Sequence, residues 1–275
     1  MQPVNLPSSV LFDRSLIKVR RNRIAPTYAA STPLKERIIN DLLFRLQVLG
    51  RSFQDIVDLG GHTGRLSDRL FLIFQDATII STDMSEAMVR QASSPLKIVL
   101  SEEMLPFAPA SLDLVVSALS LHWVNDFPGM LTQIYSALKP GGLFLAAIWG
   151  GDTLIELRDC LQTAELELRG GVTPRLSPMI AIKDAGMLLQ RAGFSAPVAD
   201  HDRLTVTYPH PLALLHDIRK MGETNALYHR WANCTPRVIF ARAFEIYQER
   251  YSLADGQIFA TFDAVTMMGW RQNSC

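Results

Sequence analysis

Ile56-Val57-Asp58-Leu59-Gly60-Gly61-His62-Thr63-Gly64-Arg65-Leu66 reads as a buried strand, a glycine-rich turn and the first turn of a helix. A strand that feeds a helix through glycines lets backbone N–H groups approach a ligand closely. Asp58 stands two positions before the first glycine. A carboxylate at that strand tip repels a phosphate and suits a ligand with a positive charge, such as the amino group of an amino-acid-like cofactor. S-adenosylmethionine is the obvious candidate. A nicotinamide cofactor is disfavoured, because the GxGxxG spacing is absent and Asp58 precedes the loop.

Outward from this loop, short apolar runs alternate with segments of helical length. Asp55–Leu59, Ala77–Asp83, Lys97–Ser101, Leu112–Ala118 and Gly142–Ile148 read as strands. Their near-continuous hydrophobicity predicts a parallel sheet covered on both faces by helices. Helices are expected after Pro33 and over Arg65–Phe74, Ser85–Ala92 and Gly129–Leu138, the last ended by Lys139-Pro140-Gly141-Gly142. Beyond Ile148 the alternation breaks. Asp152–Arg169 and Ala181–Arg191 read as helices, a strand follows around Arg203–Thr207, and a helical excursion from Pro211 to about Tyr251 precedes a last strand over Ile258–Trp270. The chain divides into a basic arm and helix (1–50), a cofactor-binding core (51–150) and a completion of the sheet with a helical substrate cap (151–275), as one structural domain.

Composition narrows the classes. Hydrophobic residues make up 48% of 275, enough for a large core. Basic and acidic residues balance at 27 each, so bulk charge favours neither nucleic acid nor an acidic surface. Cys160, Cys234 and Cys275 are far apart and form neither a disulfide framework nor a CxxC metal site, which suits a reducing compartment. No apolar run is long enough to span a bilayer, so a soluble intracellular protein is expected. Arg14, Lys18, Arg20, Arg21 and Arg23 crowd one segment with only Asp13 against them. An organelle transit peptide is one reading. A basic arm that folds over the ligand or faces water is favoured, because no low-complexity spacer follows.

Two further strand ends join the loop. Asp83 ends the next strand, where a carboxylate accepts from both hydroxyls of a ribose. Ser101, Glu102 and Glu103 end the following one, within reach of an adenine amino group; ordinary solvated loop charge is the alternative for the glutamates.

With the loop at 57–66, these strand ends, Leu112–Val124 and Leu138–Gly142, the sequence resembles the class I S-adenosylmethionine-dependent methyltransferases. Motifs in the rest of the chain, among them Phe12–Ala25, Trp149–Glu167, Gly171–Pro178 and Phe259–Trp270, resemble the branch of the mitochondrial complex I (NADH dehydrogenase) assembly factors and their bacterial relatives. The malonyl-acyl-carrier-protein O-methyltransferases are more distant cousins. The resemblance implies a Rossmann-like α/β fold: a seven-stranded, mostly parallel sheet with an antiparallel last strand, helices on both faces and a helical insertion before that strand. It implies S-adenosylmethionine across the strand ends, with Asp58, Gly60, Gly61, His62 and Gly64 at the methionine part and Asp83 with Met84 at the ribose. Ser101 and Glu102 would meet adenine, Ser117 through Leu119 would pass beneath the sulfonium, and His122 with Trp123 would face the substrate. Two residues depart from the pattern. His62 stands where the family has glycine, with reshaping expected around Gly61, and Ser101 stands where aspartate is common.

Methyl transfer needs chiefly alignment, plus a base where the nucleophile is protonated. His122 is the candidate base, with Asp126 or Asp152 as partner; shaping the pocket beside Trp123 is its alternative role. The assembly-factor branch is associated with hydroxylation of an arginine on a complex I subunit. Glu156, Glu165, Glu167 and Glu223 are candidate receivers of such a substrate, although helical surface charge explains them equally. No HxD or HxE pair marks an iron site, and Asp200-His201-Asp202 reads as a solvated strand end, so no metal is expected. Three functions stand: a methyltransferase on a small or carrier-bound acid, a protein-modifying enzyme serving complex I assembly, and a non-catalytic scaffold that binds the cofactor. The expected partner is a complex I subunit, another protein or a carrier-bound substrate. Location is cytoplasmic for a bacterial protein and the mitochondrial matrix side for a eukaryotic one.

Overall fold

The computed structural model describes residues 10–28, 33–231 and 235–273. Cys234 and Cys275 lie outside the described residues, and Cys160 is a buried free thiol.

Seven strands form one sheet in the order β3-β2-β1-β4-β5-β7-β6. They are β1 (Asp55–Asp58), β2 (Thr78–Asp83), β3 (Leu96–Val99), β4 (Leu112–Ala118), β5 (Leu138–Trp149), β6 (Ser195–Tyr208) and β7 (Ile258–Trp270). Neighbours from β3 through β5 pair parallel, and β7 runs antiparallel to both β5 and β6. The expected sheet, with its antiparallel last strand, is therefore observed. The helices are α1 (Arg14–Tyr28), α2 (Pro33–Val48), α3 (Arg65–Ile73), α4 (Glu86–Gln91), α5 (Phe127–Ala137), α6 (Ile155–Arg169), α7 (Ile182–Arg191), α8 (Pro211–Met221) and α9 (Arg237–Tyr251).

The period of two along the strands sorts the apolar runs between two cores. In β5, Leu143, Leu145, Ala147 and Trp149 join the core with α2, α6, α8 and α9. Phe144, Ala146 and Ile148 join the opposite core with α5 and α7. Local signals place the helix starts: Ser85 Oγ accepts from Met88 N at 3.2 Å at the head of α4, and Asp126 Oδ1 accepts from Gly129 N at 2.9 Å at the head of α5. Gly222, at φ 80°, closes α8.

Two segments differ from the sequence reading. Lys139–Gly142 lies within β5, across a register irregularity against β4, instead of preceding the strand. The expected short strand at Arg203–Thr207 extends back to Ser195, so Asp200-His201-Asp202 sits in mid-strand, not at a strand end. Pairing with β7 overrides the polar composition there, and each side chain finds a partner: Asp200 takes Arg45 at 2.6 Å, Asp202 takes Arg37 at 3.1 Å, and His201 meets Asp263 at 3.0 Å.

The connection reverses at β1. The chain runs outward through β2 and β3 and returns to pair β4 with β1. The crevice beyond the carboxyl ends of β1 and β4 is the usual ligand position in such sheets. The glycine loop stands at that crevice.

Candidate functional site

The floor of the site is the turn after β1. Gly60 is at φ 70°, and a Cβ there would collide with Ser120 Oγ. A Cβ on Gly61 would come 2.5 Å from Asp58 Oδ2. Both positions therefore require glycine. His62 takes the left-handed conformation itself, at φ 55°, whereas Gly61 has no positive φ. The reshaping expected around Gly61 thus falls on His62, a residue type that tolerates αL. Its N–H donates to Asp83 Oδ2 at 3.2 Å. Gly64, at φ 79°, leads into α3.

Three carboxylates stand in line at the ends of β1, β2 and β3. Asp58 is wholly buried. Its Oδ2 accepts from Ser67 N at 3.1 Å and Ser67 Oγ at 2.7 Å, while Oδ1 has no partner among the described residues. Burial pushes its pKa up to about 6, against the Ser67 bonds and the Lys35 charge. Asp83 Oδ1 accepts from Ser85 N at 2.8 Å, and burial raises its pKa. Glu102 is as buried, yet Arg14 and Arg21 outweigh the desolvation and lower its pKa.

The basic arm closes over these acids as α1. Arg21 is 3% exposed. Its guanidinium reaches Asp83 Oδ2 at 2.9 Å, Glu102 Oε1 at 3.2 Å and Ser120 Oγ at 2.9 Å. Burial opposes that charge, but Asp83 and Glu102 prevail and hold it protonated. Arg14 pairs with Glu102 and donates to Trp123 O at 3.2 Å and Ser101 Oγ at 3.4 Å. The start of the arm is pinned on two sides. Asn125 Oδ1 accepts from Leu11 N and Phe12 N at 2.8 and 2.7 Å, and Asp13 N donates to Ala226 O at 2.8 Å. At the other end of α1, Tyr28 stacks on His62 with centroids 4.9 Å apart.

Lys35, from α2, completes the wall. Its ammonium donates to His62 Nδ1 at 2.6 Å. Burial lowers the Lys35 pKa to about 8, partly offset by Asp58 and Asp83. Burial, then Lys35, holds the His62 pKa well below the usual imidazole value, so the ring is neutral.

Across the crevice, a short turn over Leu121–Trp123 leaves β4 at Ser120. Glu223, beyond α8, organises it. Glu223 Oε2 meets His122 Nε2 at 2.9 Å and accepts from Trp123 Nε1 at 3.1 Å. With Nε2–H directed at the carboxylate, a neutral His122 carries its lone pair on Nδ1, which is buried and has no partner among the described residues. Leu119, at φ 54°, lines a cavity of about 10 Å³ with Tyr28, Lys35, Trp149, Met221 and Glu223.

Of the residues singled out in the sequence, Asp58, Gly60, Gly61, His62, Asp83, Glu102, Leu119, His122 and Trp123 surround this crevice. Ser117 is turned into the sheet, its hydroxyl donating to Leu59 O at 2.6 Å. Met84 packs under the arm with Phe12, Ile17 and Trp123. Neither carboxylate suggested for His122 reaches it: Asp126 caps α5, and Asp152 pairs with Arg203. Glu223 holds that place. Glu165 pairs with Arg175, Glu167 with Arg242, and Glu156 binds Thr261. Lys35 and Tyr28 carried no sequence signal, since each lies in an ordinary helical pattern. Arg21 was visible only as one of five basic residues.

Carboxylates at three successive strand tips around a glycine turn, on this sheet order, define a methyltransferase fold, and a family described as "Methyltransferase domain" matches residues 57–146. The chain belongs to the class I S-adenosylmethionine-dependent methyltransferase family. It is 39% identical to the mitochondrial arginine-hydroxylase NDUFAF5 of Rattus norvegicus over 95% of this chain and 77% of that one. It is 33% identical to the malonyl-[acyl-carrier protein] O-methyltransferase of Xylella fastidiosa over 96% and 90% of the two chains. Both branches expected from the motifs are thus among its relatives. The crystal structure of YcgJ from Bacillus subtilis superposes with a TM-score of 0.60 at 14% identity, covering 86% of this chain and 99% of that one. Among the described residues, no helix is long and apolar enough to cross a membrane.

Proposed function

We propose that the crevice binds S-adenosylmethionine and that the protein transfers its methyl group to an acceptor presented at His122. The single observation that carries this reading is the unpartnered, buried Oδ1 of Asp58 at the tip of β1. A buried acceptor without a donor calls for a ligand, and an ammonium supplies one. The donor set fits the remaining groups of the cofactor. Asp83 suits a diol, Glu102 suits an exocyclic amine, and Lys35 stands beside the loop for a carboxylate. The cofactor brings a methyl group on a positively charged sulfur, a leaving group that needs no acid. What the chain supplies is alignment, exclusion of water by α1, and a proton acceptor at His122 Nδ1 held in its tautomer by Glu223.

In this structure Arg21 occupies the Asp83 and Glu102 carboxylates. Cofactor binding therefore requires α1 to give up those bonds, which makes the arm a closure that competes with the ligand. Calorimetry with S-adenosylmethionine tests the reading: binding that is weakened by Asp83→Ala supports it, and no binding in the wild type overturns it.

One observation favours a second reading. The same acids already cradle a guanidinium, as they would for the arginine of a protein substrate, and the relatives at 39% identity carry the name arginine-hydroxylase. A complex I subunit is the partner this reading names. Intact-mass analysis of a co-expressed subunit separates an added methyl from an added oxygen; an unmodified subunit that co-purifies marks a scaffold.

A further inference from the structure

A cavity of about 450 Å³ opens between the arm, α6, α8 and the start of α9. Arg20, Arg175, Arg219 and Arg230 line it, with Glu223 as the lone carboxylate among its lining residues. Trp231 stands at its wall, half exposed, with the Arg169 guanidinium 5.6 Å above its ring. Leu157, Leu215 and Phe240 make its apolar surface. The volume lies within the range of small-molecule sites.

Two of these arginines are already satisfied by carboxylates: Arg175 pairs with Glu165, and Arg230 with Asp13 at 3.1 Å. The other two are not. Among the described residues, Arg20 donates only to the carbonyls of Thr224 and Asn225, each at 2.7 Å. The guanidinium of Arg219 has no partner among the described residues and stands exposed at the end of α8. Burial, and next the nearby Arg230, lower the Arg20 pKa against the pull of Asp13.

Glu223 connects this cavity to the cofactor crevice. It lines the small cavity beside Leu119, a second of about 30 Å³ that also touches Trp123 and Trp149, and the arginine-lined one. Glu223, whose carboxylate also holds the His122–Trp123 pair, thus borders all three cavities.

We propose that the arginine-lined cavity is a binding site for an anionic group, a carboxylate or a phosphate monoester, borne on an apolar stem that runs toward His122. The direction of the stem rests on the methyl-transfer reading; the anion site itself does not. Guanidinium groups bind both anions through paired N–H donors, and the apolar wall suits an aliphatic chain. The same wall repels a cationic side chain, so it selects against an arginine substrate approaching by this route.

The test titrates the full chain by calorimetry with octanoate, octyl phosphate and, as the opposite charge, octylamine. Saturable binding of an anion, absent for octylamine, is expected, and Arg219→Gln weakens it roughly tenfold. Because Arg219 is exposed and unpaired, its replacement leaves the fold standing, and Arg20→Gln provides the second, partly buried arm. Tighter binding of octanoate points to a free acid, and of octyl phosphate to a phosphate-bearing stem. Octylamine binding as well as the anions do, or anion affinity unchanged in both variants, overturns the assignment. S-adenosylmethionine is titrated into the same wild-type preparation. Anion binding without cofactor binding strikes the methyl-transfer reading alone, and cofactor binding without anion binding strikes the cavity alone.

Discussion

Asp58→Asn isolates the charge of the site from its shape. The carboxyl is fully buried, and burial lifts its pKa from 3.8 to about 6. At 1.36 kcal/mol per pKa unit, that gap is roughly 3 kcal/mol against the ionised form in the ligand-free fold. The sign follows from linkage: between 3.8 and about 6 the folded state holds a proton that the unfolded state has released. The contribution of Asp58 to stability therefore declines as pH rises through that window and is level above it. Asparagine keeps an oxygen for the two Ser67 bonds but leaves an unpartnered amide where Oδ1 stood, which returns about 1–2 kcal/mol. A net gain of about 1–2 kcal/mol is expected at pH 7; it shrinks as pH falls from about 6 to 3.8 and becomes a loss of about 1–2 kcal/mol below that window, read from urea denaturation on both sides of it. In the same variant a ligand ammonium loses its counter-charge, so S-adenosylmethionine binding weakens at least about thirtyfold by calorimetry. A variant less stable than wild type at pH 7, or one that binds the cofactor undiminished, refutes the role given to this oxygen.

Other perturbations separate the arm, the wall and the substrate side. Arg21→Ala leaves Asp83 buried without its cation and Glu102 with Arg14 alone, so unfolding free energy falls by about 3–5 kcal/mol, while S-adenosylmethionine, freed of a competitor, binds more tightly. Weaker cofactor binding in Arg21→Ala would make Arg21 a ligand of the cofactor instead of a closure. Lys35, lowered from 10.5 to about 8, holds fewer protons folded than unfolded between those values, so its burial cost is present in full below about pH 8 and relieved toward 10.5. Denaturation from pH 7.5 to 10 should show wild-type stability rising relative to Lys35→Met, by up to roughly 3 kcal/mol; parallel curves count against it. Glu223→Ala removes the acceptor shared by His122 and Trp123, and kcat should fall by about two orders of magnitude with the cofactor Kd little changed. An equal loss in cofactor affinity would place Glu223 in the cofactor site.

The sheet was legible because its signal is local. Each β-strand is a short apolar run whose alternate residues feed opposite cores, and Asp58, Asp83 and Glu102 could be placed because they follow such runs directly. The cost of His62 was legible too, although the strain sits on His62 and not on its neighbour. What escaped was set by contacts across distant parts of the chain. Glu223 lies 101 residues from His122, while Asp126 and Asp152 looked plausible by nearness alone. Lys35 follows an amphipathic pattern that predicts only a helix, and nothing in that pattern directs its ammonium at His62. The arm was read as folding over the ligand or facing water; only the geometry shows one of its arginines seated on the acids proposed for the cofactor.

That seat bears on how one fold serves differently named relatives. Asp83 and Glu102 form an acidic shelf that accepts a guanidinium as readily as a nucleoside, because both present paired N–H or O–H donors to carboxylate oxygens. The shelf alone does not decide between them. Beyond Glu223 the lining changes sign, from carboxylates at the strand tips to guanidiniums in the open cavity. An acceptor that spans both regions must match each: neutral or cationic where it meets the shelf, anionic in the arginine-lined cavity. An arginine side chain matches the first and clashes with the second, whereas an acid on an apolar stem satisfies the second and leaves the shelf to the cofactor. With the anion site proposed above, the division of charge on the two sides of Glu223 assigns substrate selection to Arg20 and Arg219, far from the glycine turn.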